Sequence, residues 1–276
     1  MGQISIGTEM NHVRFLQYES IFLKMSVENN TGGHLVLKPD HIGAGVEKSP
    51  GHLLARRSAF FTNDVVIRAG ETKDFTVNLT QNFDMRGTGP YTIRPWVLWR
   101  GSRHVGKTQY IDILPGFKLK EMTAGNPENS HVYKFILLTI NRYRSDRIFL
   151  RIDDRTASIM RGVLELGSVI RIKPPELRVN AKSEVEIEHQ VSPSSILRHT
   201  FTMDGDLVSQ DQYTVRDNQQ RFNPISARMS PGERALALHG DRSGPTPPPA
   251  AGPVSAKSEQ KKKGGFFSNL FRRNKN

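Results

Sequence analysis

From residue 21 onward the chain alternates side chains with a period of two. Ile21, Leu23, Met25 and Val27 interleave with Phe22, Lys24, Ser26 and Glu28, which predicts a strand with one buried face. Asn29-Asn30-Thr31-Gly32-Gly33 follows. These residues tolerate positive φ, so a turn is expected, with residues 35–37 returning as the partner strand. Residues 65–68 read as a strand that ends at the Ala69-Gly70-Glu71 turn, and Phe75, Val77 and Leu79 alternate beyond it. Tyr91, Ile93, Pro95, Val97 and Trp99 form the next set, and Tyr110, Ile111 and Ile113 lead to Leu114-Pro115-Gly116. Short strands with this punctuation, and no long stretch of helical periodicity, are the pattern of a sandwich.

A second β-rich unit follows, with strands expected over residues 132–140, 148–152, 159–166 and 185–191. Asp204-Gly205 predicts a tight hairpin with two positive-φ positions. Pro174-Pro175 marks an exposed connection. The unit reads either as a second sandwich, the preferred alternative, or as a meander packed on the first. Beyond residue 224 the composition changes. Ser243-Gly244-Pro245-Thr246-Pro247-Pro248-Pro249 and the Ala/Gly/Pro/Ser stretch after it lack the apolar residues of a core, so an extended, disordered linker is expected. The expected organisation is thus 1–115, 116–224 and a tail over 225–276.

The strand, Asn-Asn-Thr-Gly-Gly, strand order, followed by Ala69-Gly70-Glu71-Thr72 and an alternating strand, resembles bacterial immunoglobulin-like and fibronectin-III-like modules. Asp84 and Gly89-Pro90-Tyr91 look like the entry to a late strand of such modules, and the resemblance covers about residues 10 to 115. It implies that the Tyr91 hydroxyl ties a corner between sheets. It says little about function, because such modules carry many. The fold class expected is all-β: two tandem immunoglobulin-like β-sandwich modules, then a disordered basic C-terminal tail.

Charge sharpens this division. The formal net charge is +12. Residues 225–276 hold ten Lys/Arg against three Asp/Glu, a net +7, which leaves only +5 for the first 224 residues. The chain has no cysteine, which removes disulfides and thiolate zinc sites. Glu9, Arg14, Glu19 and Lys24 interrupt the first 30 residues, so neither a signal peptide nor a membrane-spanning segment is expected in this chain. Cell-envelope or periplasmic placement is favoured if an upstream leader has been lost, and the cytoplasm otherwise.

Catalytic chemistry finds little to stand on. Gly101-Ser102-Arg103-His104-Val105-Gly106-Lys107-Thr108 satisfies the spacing of a phosphate-binding loop, but that chemistry needs a helix N-terminus aimed at the phosphates. Residues 109–114 alternate like a strand and end at Pro115-Gly116, so a hairpin loop is expected. The nine histidines show no metal-helix spacing, and His189 reads as a strand residue. Asp204-Gly205-Asp206 lacks the further ligands of a calcium loop, and Asp153-Asp154 reads as a solvated turn. Asn29-Asn30-Thr31 and Asn78-Leu79-Thr80 match the glycosylation pattern. No catalytic, cofactor or metal site is nominated, and the protein is expected not to be an enzyme.

The positive lead is the tail. Phe266, Phe267, Leu270 and Phe271 stand between Lys261, Lys262 and Lys263 on one side and Arg272, Arg273 and Lys275 on the other. One helical turn would gather the apolar four on one face. Such a segment suits weak docking on an anionic membrane surface or a protein partner. The function expected is binding or scaffolding at the bacterial cell envelope. The alternatives are nucleic-acid binding through Arg142, Arg144, Arg147, Arg151 and Arg155 with Tyr143 and Phe149, which has no recognised motif behind it, or a β-sandwich enzyme whose site is not evident.

Overall fold

A computed structural model describes residues 3–216 and 219–224. The tail residues nominated above, Lys261 to Lys275, lie outside the described residues. Within them the chain is all-β with sandwich architecture, as the alternation predicts. The first part runs β1 (Ile4–Met10), β2 (Arg14–Leu16), β3 (Phe22–Asn29), β4 (Leu35–Leu37), β5 (Ile42–Lys48), β6 (His52–Leu53), β7 (Val65–Ile67), β8 (Thr72–Asn78), a helical turn α1 (Leu79–Asn82), β9 (Gly89–Trp99), β10 (Ser102–Val105) and β11 (Gln109–Leu114). One sheet has the order β1-β3-β8 and another the order β2-β11-β9-β5-β6, with β10 added on β9 and a β4-β7 pair beside them. Strands distant in sequence are neighbours here, as in an immunoglobulin-like sandwich. Leu23, Met25, Val27, Phe75 and Val77 meet Val46, Ile93, Val97 and Ile111 in a common core.

The second part runs β12 (Phe117–Gly125), β13 (Val132–Arg142), β14 (Ser145–Asp154), β15 (Ile159–Val169), β16 (Glu176–Val179), β17 (Val185–Ser192), β18 (Ser195–Phe201), β19 (Leu207–Arg216) and β20 (Gln219–Pro224). It forms two meanders, β12-β13-β14-β15 and β16-β17-β18-β19-β20. They face each other across a core of their own, with Tyr133, Phe135, Leu150 and Ile152 from one sheet and Val185, Ile187 and Phe201 from the other.

Several local expectations change. β4 pairs with β7, not with β3, whose neighbours are β1 and β8. The break after β3 uses no positive φ in residues 29–33. Instead the buried Asn29 side chain makes the turn. Its amide donates to the Gly33 and Ile67 carbonyls (2.8 and 2.9 Å), and its Oδ1 accepts from the Thr31 amide and hydroxyl (3.0 and 2.6 Å). An Asx turn of this kind leaves no buried donor unmet and ties β3 to the β7 end. It also takes the Asn29 amide away from any glycan.

The expected two-residue turn at Asp204-Gly205 is a five-residue loop, 202–206. Only Gly205 has positive φ (+102°), and the Thr202 amide and hydroxyl bond Asp206 across the loop. Asp204 is drawn away by Tyr133 of the facing sheet, whose hydroxyl donates to it at 2.5 Å. The Gly101–Thr108 segment is not a loop throughout. Arg100 and Gly101 (φ +49° and +76°) make a two-residue turn of the primed type, and Ser102 to Val105 form β10 against β9. No helix opens there to face a phosphate. The Tyr91 hydroxyl donates to the Gly87 carbonyl at 2.7 Å and the ring is buried, which is the corner tie that the resemblance implies.

Candidate functional site

β13 is apolar on both faces. Tyr133, Phe135 and Leu137 point into the second core, while Leu138 and Ile140 point the other way and are buried too. The same split runs through β14, where Phe149 opposes Ile148 and Leu150, and through β15, where Val163 opposes Leu164. A sheet apolar on both faces must be covered on both. The cover on the second face is the first β unit: Leu16 of β2 and Leu114 of β11 pack against Leu138, Ile140 and Phe149. The connection between the units passes through Gly116 at φ +77°, where a Cβ would lie 2.5 Å from a Leu16 methyl. Only glycine meets both requirements.

Arg142 continues this second face and carries charge into the contact. Its side chain is 2% exposed. Nη2 donates to both Glu19 oxygens at 2.8 and 2.7 Å, Nη1 donates to Glu165 at 3.0 Å, and Nε donates to the Arg14 carbonyl at 3.1 Å. The guanidinium lies over the Phe15 and Phe149 rings, 5.7 and 5.4 Å from their centroids. A planar, delocalised cation suits both sets of contacts where a lysine ammonium would not. Arg147 completes the cluster, donating to Glu165 at 2.6 Å and to the Ser168 hydroxyl at 2.7 Å. Glu19 also accepts from the Leu16 amide at 2.8 Å. Burial pushes its carboxyl up to about 7, against the opposing pull of Arg142.

Beside this cluster lies an open cleft of about 730 Å³ lined by His12, Arg142, Tyr143, Arg144, Ser145 and Arg147. It draws on both units, since His12 belongs to the β1–β2 connection and the remainder to the β13–β14 hairpin, Tyr143 and Arg144 in its turn and the others at the strand ends. The Tyr143 ring is 62% exposed and meets His12 edge-on at 6.5 Å.

The cluster revises the run of arginines read from sequence. Arg142 and Arg147 are held by Glu19 and Glu165, and Arg151 is held by Asp153 while lying over the Tyr18 ring. The Phe149 ring is buried rather than available for stacking. Asp154 is not a solvated turn residue as expected but is 1% exposed. It accepts from the Ala157 amide (2.9 Å), His131 Nδ1 (2.8 Å) and Arg161 (2.8 Å), and these bonds, the amide foremost, hold its carboxyl well below the usual range. His189 is a core residue. It stacks on His199 with ring planes 6° apart and Nε2 atoms 3.2 Å from each other. Burial lowers the pair to about 4 and about 3. Among the described residues, no three of His, Asp and Glu gather as metal ligands, and no helix is long and apolar enough to cross a membrane.

Sequence reasoning did not single out Glu19 or Glu165. A signal for Arg142 was present in β13, where even positions 138 and 140 are apolar and 142 follows in phase. No known family model matches this chain, and no curated protein matches it. Among solved structures, the crystal structure of the periplasmic chaperone SfaE aligns at 12% identity over 76% of this chain and 100% of that chain. Its TM-score is 0.22, too low for the likeness to carry any argument.

Proposed function

We propose that this chain is a non-enzymatic binding or scaffolding protein of the bacterial cell envelope. In this reading the two β units are held at one fixed angle and present a joint recognition surface at their contact. The observation that carries it is the Arg142–Glu19–Glu165 cluster with the cleft beside it. Desolvating a guanidinium and two carboxylates is costly, and such buried networks serve to specify one arrangement more than to add stability. A cleft built by residues of both units then keeps its shape.

The tail supplies attachment. Its six cations, Lys261, Lys262, Lys263, Arg272, Arg273 and Lys275, contribute ~1 kcal/mol each near an anionic surface. Phe266, Phe267, Leu270 and Phe271 add apolar insertion. The nucleic-acid alternative is weakened by the carboxylate partners of Arg142, Arg147 and Arg151.

Flotation with vesicles rich in phosphatidylglycerol tests the attachment. The full chain floats at low salt, and a chain ending at residue 260 stays at the bottom. Equal flotation of the two removes the tail from the proposal.

A further inference from the structure

The charges around the cleft are unevenly compensated. On its inner side Glu19 and Glu165 are consumed by Arg142 and Arg147. On its rim Arg144 is exposed, and among the described residues neither Arg144 nor the nearby Arg14 meets a carboxylate. Arg14 reaches only the Asn141 carbonyl, at 3.5 Å. Asp146, the next acid, is engaged by Arg171 at 2.8 Å and by Asn141 at 3.0 Å. The rim therefore keeps the Arg144 guanidinium, with that of Arg14 outside the cleft lining beside Asn141, and neither has a carboxylate partner among the described residues.

The backbone points to the same place. Arg142 and Ser145 face each other across β13 and β14, so Tyr143 and Arg144 form a two-residue turn. Tyr143 occupies its first position at φ +60°. Hairpins of this type put glycine there, because a side chain in the left-handed region is strained. A tyrosine held in that conformation, with its ring mostly in solvent, is a poor choice for folding alone. Strain of this kind concentrates where a ligand is held.

We propose that the Tyr143–Arg144 rim, with Arg14 and His12, is a binding subsite for an oxyanion, phosphate or carboxylate, carried on a planar apolar group. Arg144 takes the oxyanion through its guanidinium fork, and the Tyr143 ring takes the planar group face-on or edge-on. The assignment rests on the reading of the junction as the recognition surface. It adds the chemical class of what is recognised.

The test is isothermal titration of the full chain with phenyl phosphate and with benzoate, with phenol and inorganic phosphate as the halves of the probe. Phenyl phosphate and benzoate distinguish the two oxyanions, and binding of either supports the site. Phenol gives no signal, and inorganic phosphate binds more weakly than phenyl phosphate. Arg144→Gln weakens the bound probe about tenfold, the loss of one charge-assisted contact. Tyr143→Gly weakens it severalfold while the melting temperature is kept or raised, because the turn is relieved of strain. A merely structural tyrosine would give the reverse, a lowered melting temperature with affinity unchanged. The proposal is overturned by that result, by undiminished binding to Arg144→Gln, or by no binding of either oxyanion probe at millimolar concentration. Should the full chain still float on anionic vesicles while neither probe binds, the subsite falls and the attachment stands.

Discussion

Replacing Arg142 with methionine separates the charge of the junction from its packing. Methionine keeps an unbranched apolar stem against Phe15 and Phe149 and removes every donor. Glu165 retains Arg147, at 2.6 Å. Glu19 loses both of its bonds to the guanidinium and keeps only the Leu16 amide. Breaking a buried pair from one side costs ~3–5 kcal/mol, because the surviving charge is left without a counter-ion. The cost is pH-dependent, and its sign is fixed by Glu19. Its folded carboxyl, already raised to about 7 from 4.5, rises further without Arg142. A carboxyl raised on folding favours the folded state below 4.5 and loses that contribution as pH rises through the folded value. The variant is therefore most destabilised near pH 8, and less so at pH 5, where Glu19 takes a proton. Urea unfolding followed by circular dichroism at the two pH values measures both quantities. Adding Glu19→Gln removes the stranded charge and recovers most of the loss. A loss below about 1 kcal/mol at both pH values, a size ordinary for an exposed pair, would refute the reasoning.

The stacked pair His189 and His199 makes acid destabilising. Both are lowered from 6.5 by burial, so the unfolded chain binds more protons below that pH, and stability falls by about 1.4 kcal/mol per pH unit for each as the pH drops toward 4. Replacing both with glutamine removes this dependence between pH 6.5 and 4.5 and leaves the raised carboxyl of Glu19, which acts with the opposite sign, so the urea midpoint no longer falls with acid; an unchanged slope contradicts the assignment. Tyr91→Phe removes the bond to the Gly87 carbonyl and lowers stability by about 1 kcal/mol, measured by thermal unfolding, without altering binding of the oxyanion probes.

Strands that alternate cleanly were legible from sequence, and those whose pattern depends on remote partners were not. β3 and β9 announce themselves by period, and the two-faced β13 by its unbroken apolar run over residues 135–138. In β5, Ile42, Ala44 and Val46 are buried on one face, but Gly43 and Gly45 between them carry no side chain to complete a strand pattern. Gly43 is needed because the Trp96 ring of β9 occupies the space of a Cβ, which would lie 2.5 Å from it. That requirement comes from a residue more than fifty positions away. The pairing of β4 with β7 was hidden for the same reason, since register across a long connection leaves no local mark.

The candidate site was hidden more deeply. Residues 141–147 contain three arginines, an aspartate, a serine, an asparagine and one tyrosine, which locally reads as a solvated turn. Arg142 is buried because Glu19 comes to it from the other unit, 123 residues earlier. Asp154 is hidden in the same way. Its partners His131 and Arg161 belong to neighbouring strand ends, and a turn residue with three donors converging on it is no longer a solvated one.

The central claim is that Arg142 fixes the two β units at one angle, so that residues from both make a single cleft. Because the chain has no cysteine, spin labels can be placed at Thr76→Cys and Ala181→Cys, both exposed positions, one in each unit. Pulsed electron–electron distance measurement on the full chain is predicted to give one narrow distribution at pH 7, which broadens in Arg142→Met. A distribution already broad in the parent chain, or one equally narrow without Arg142, would contradict the account.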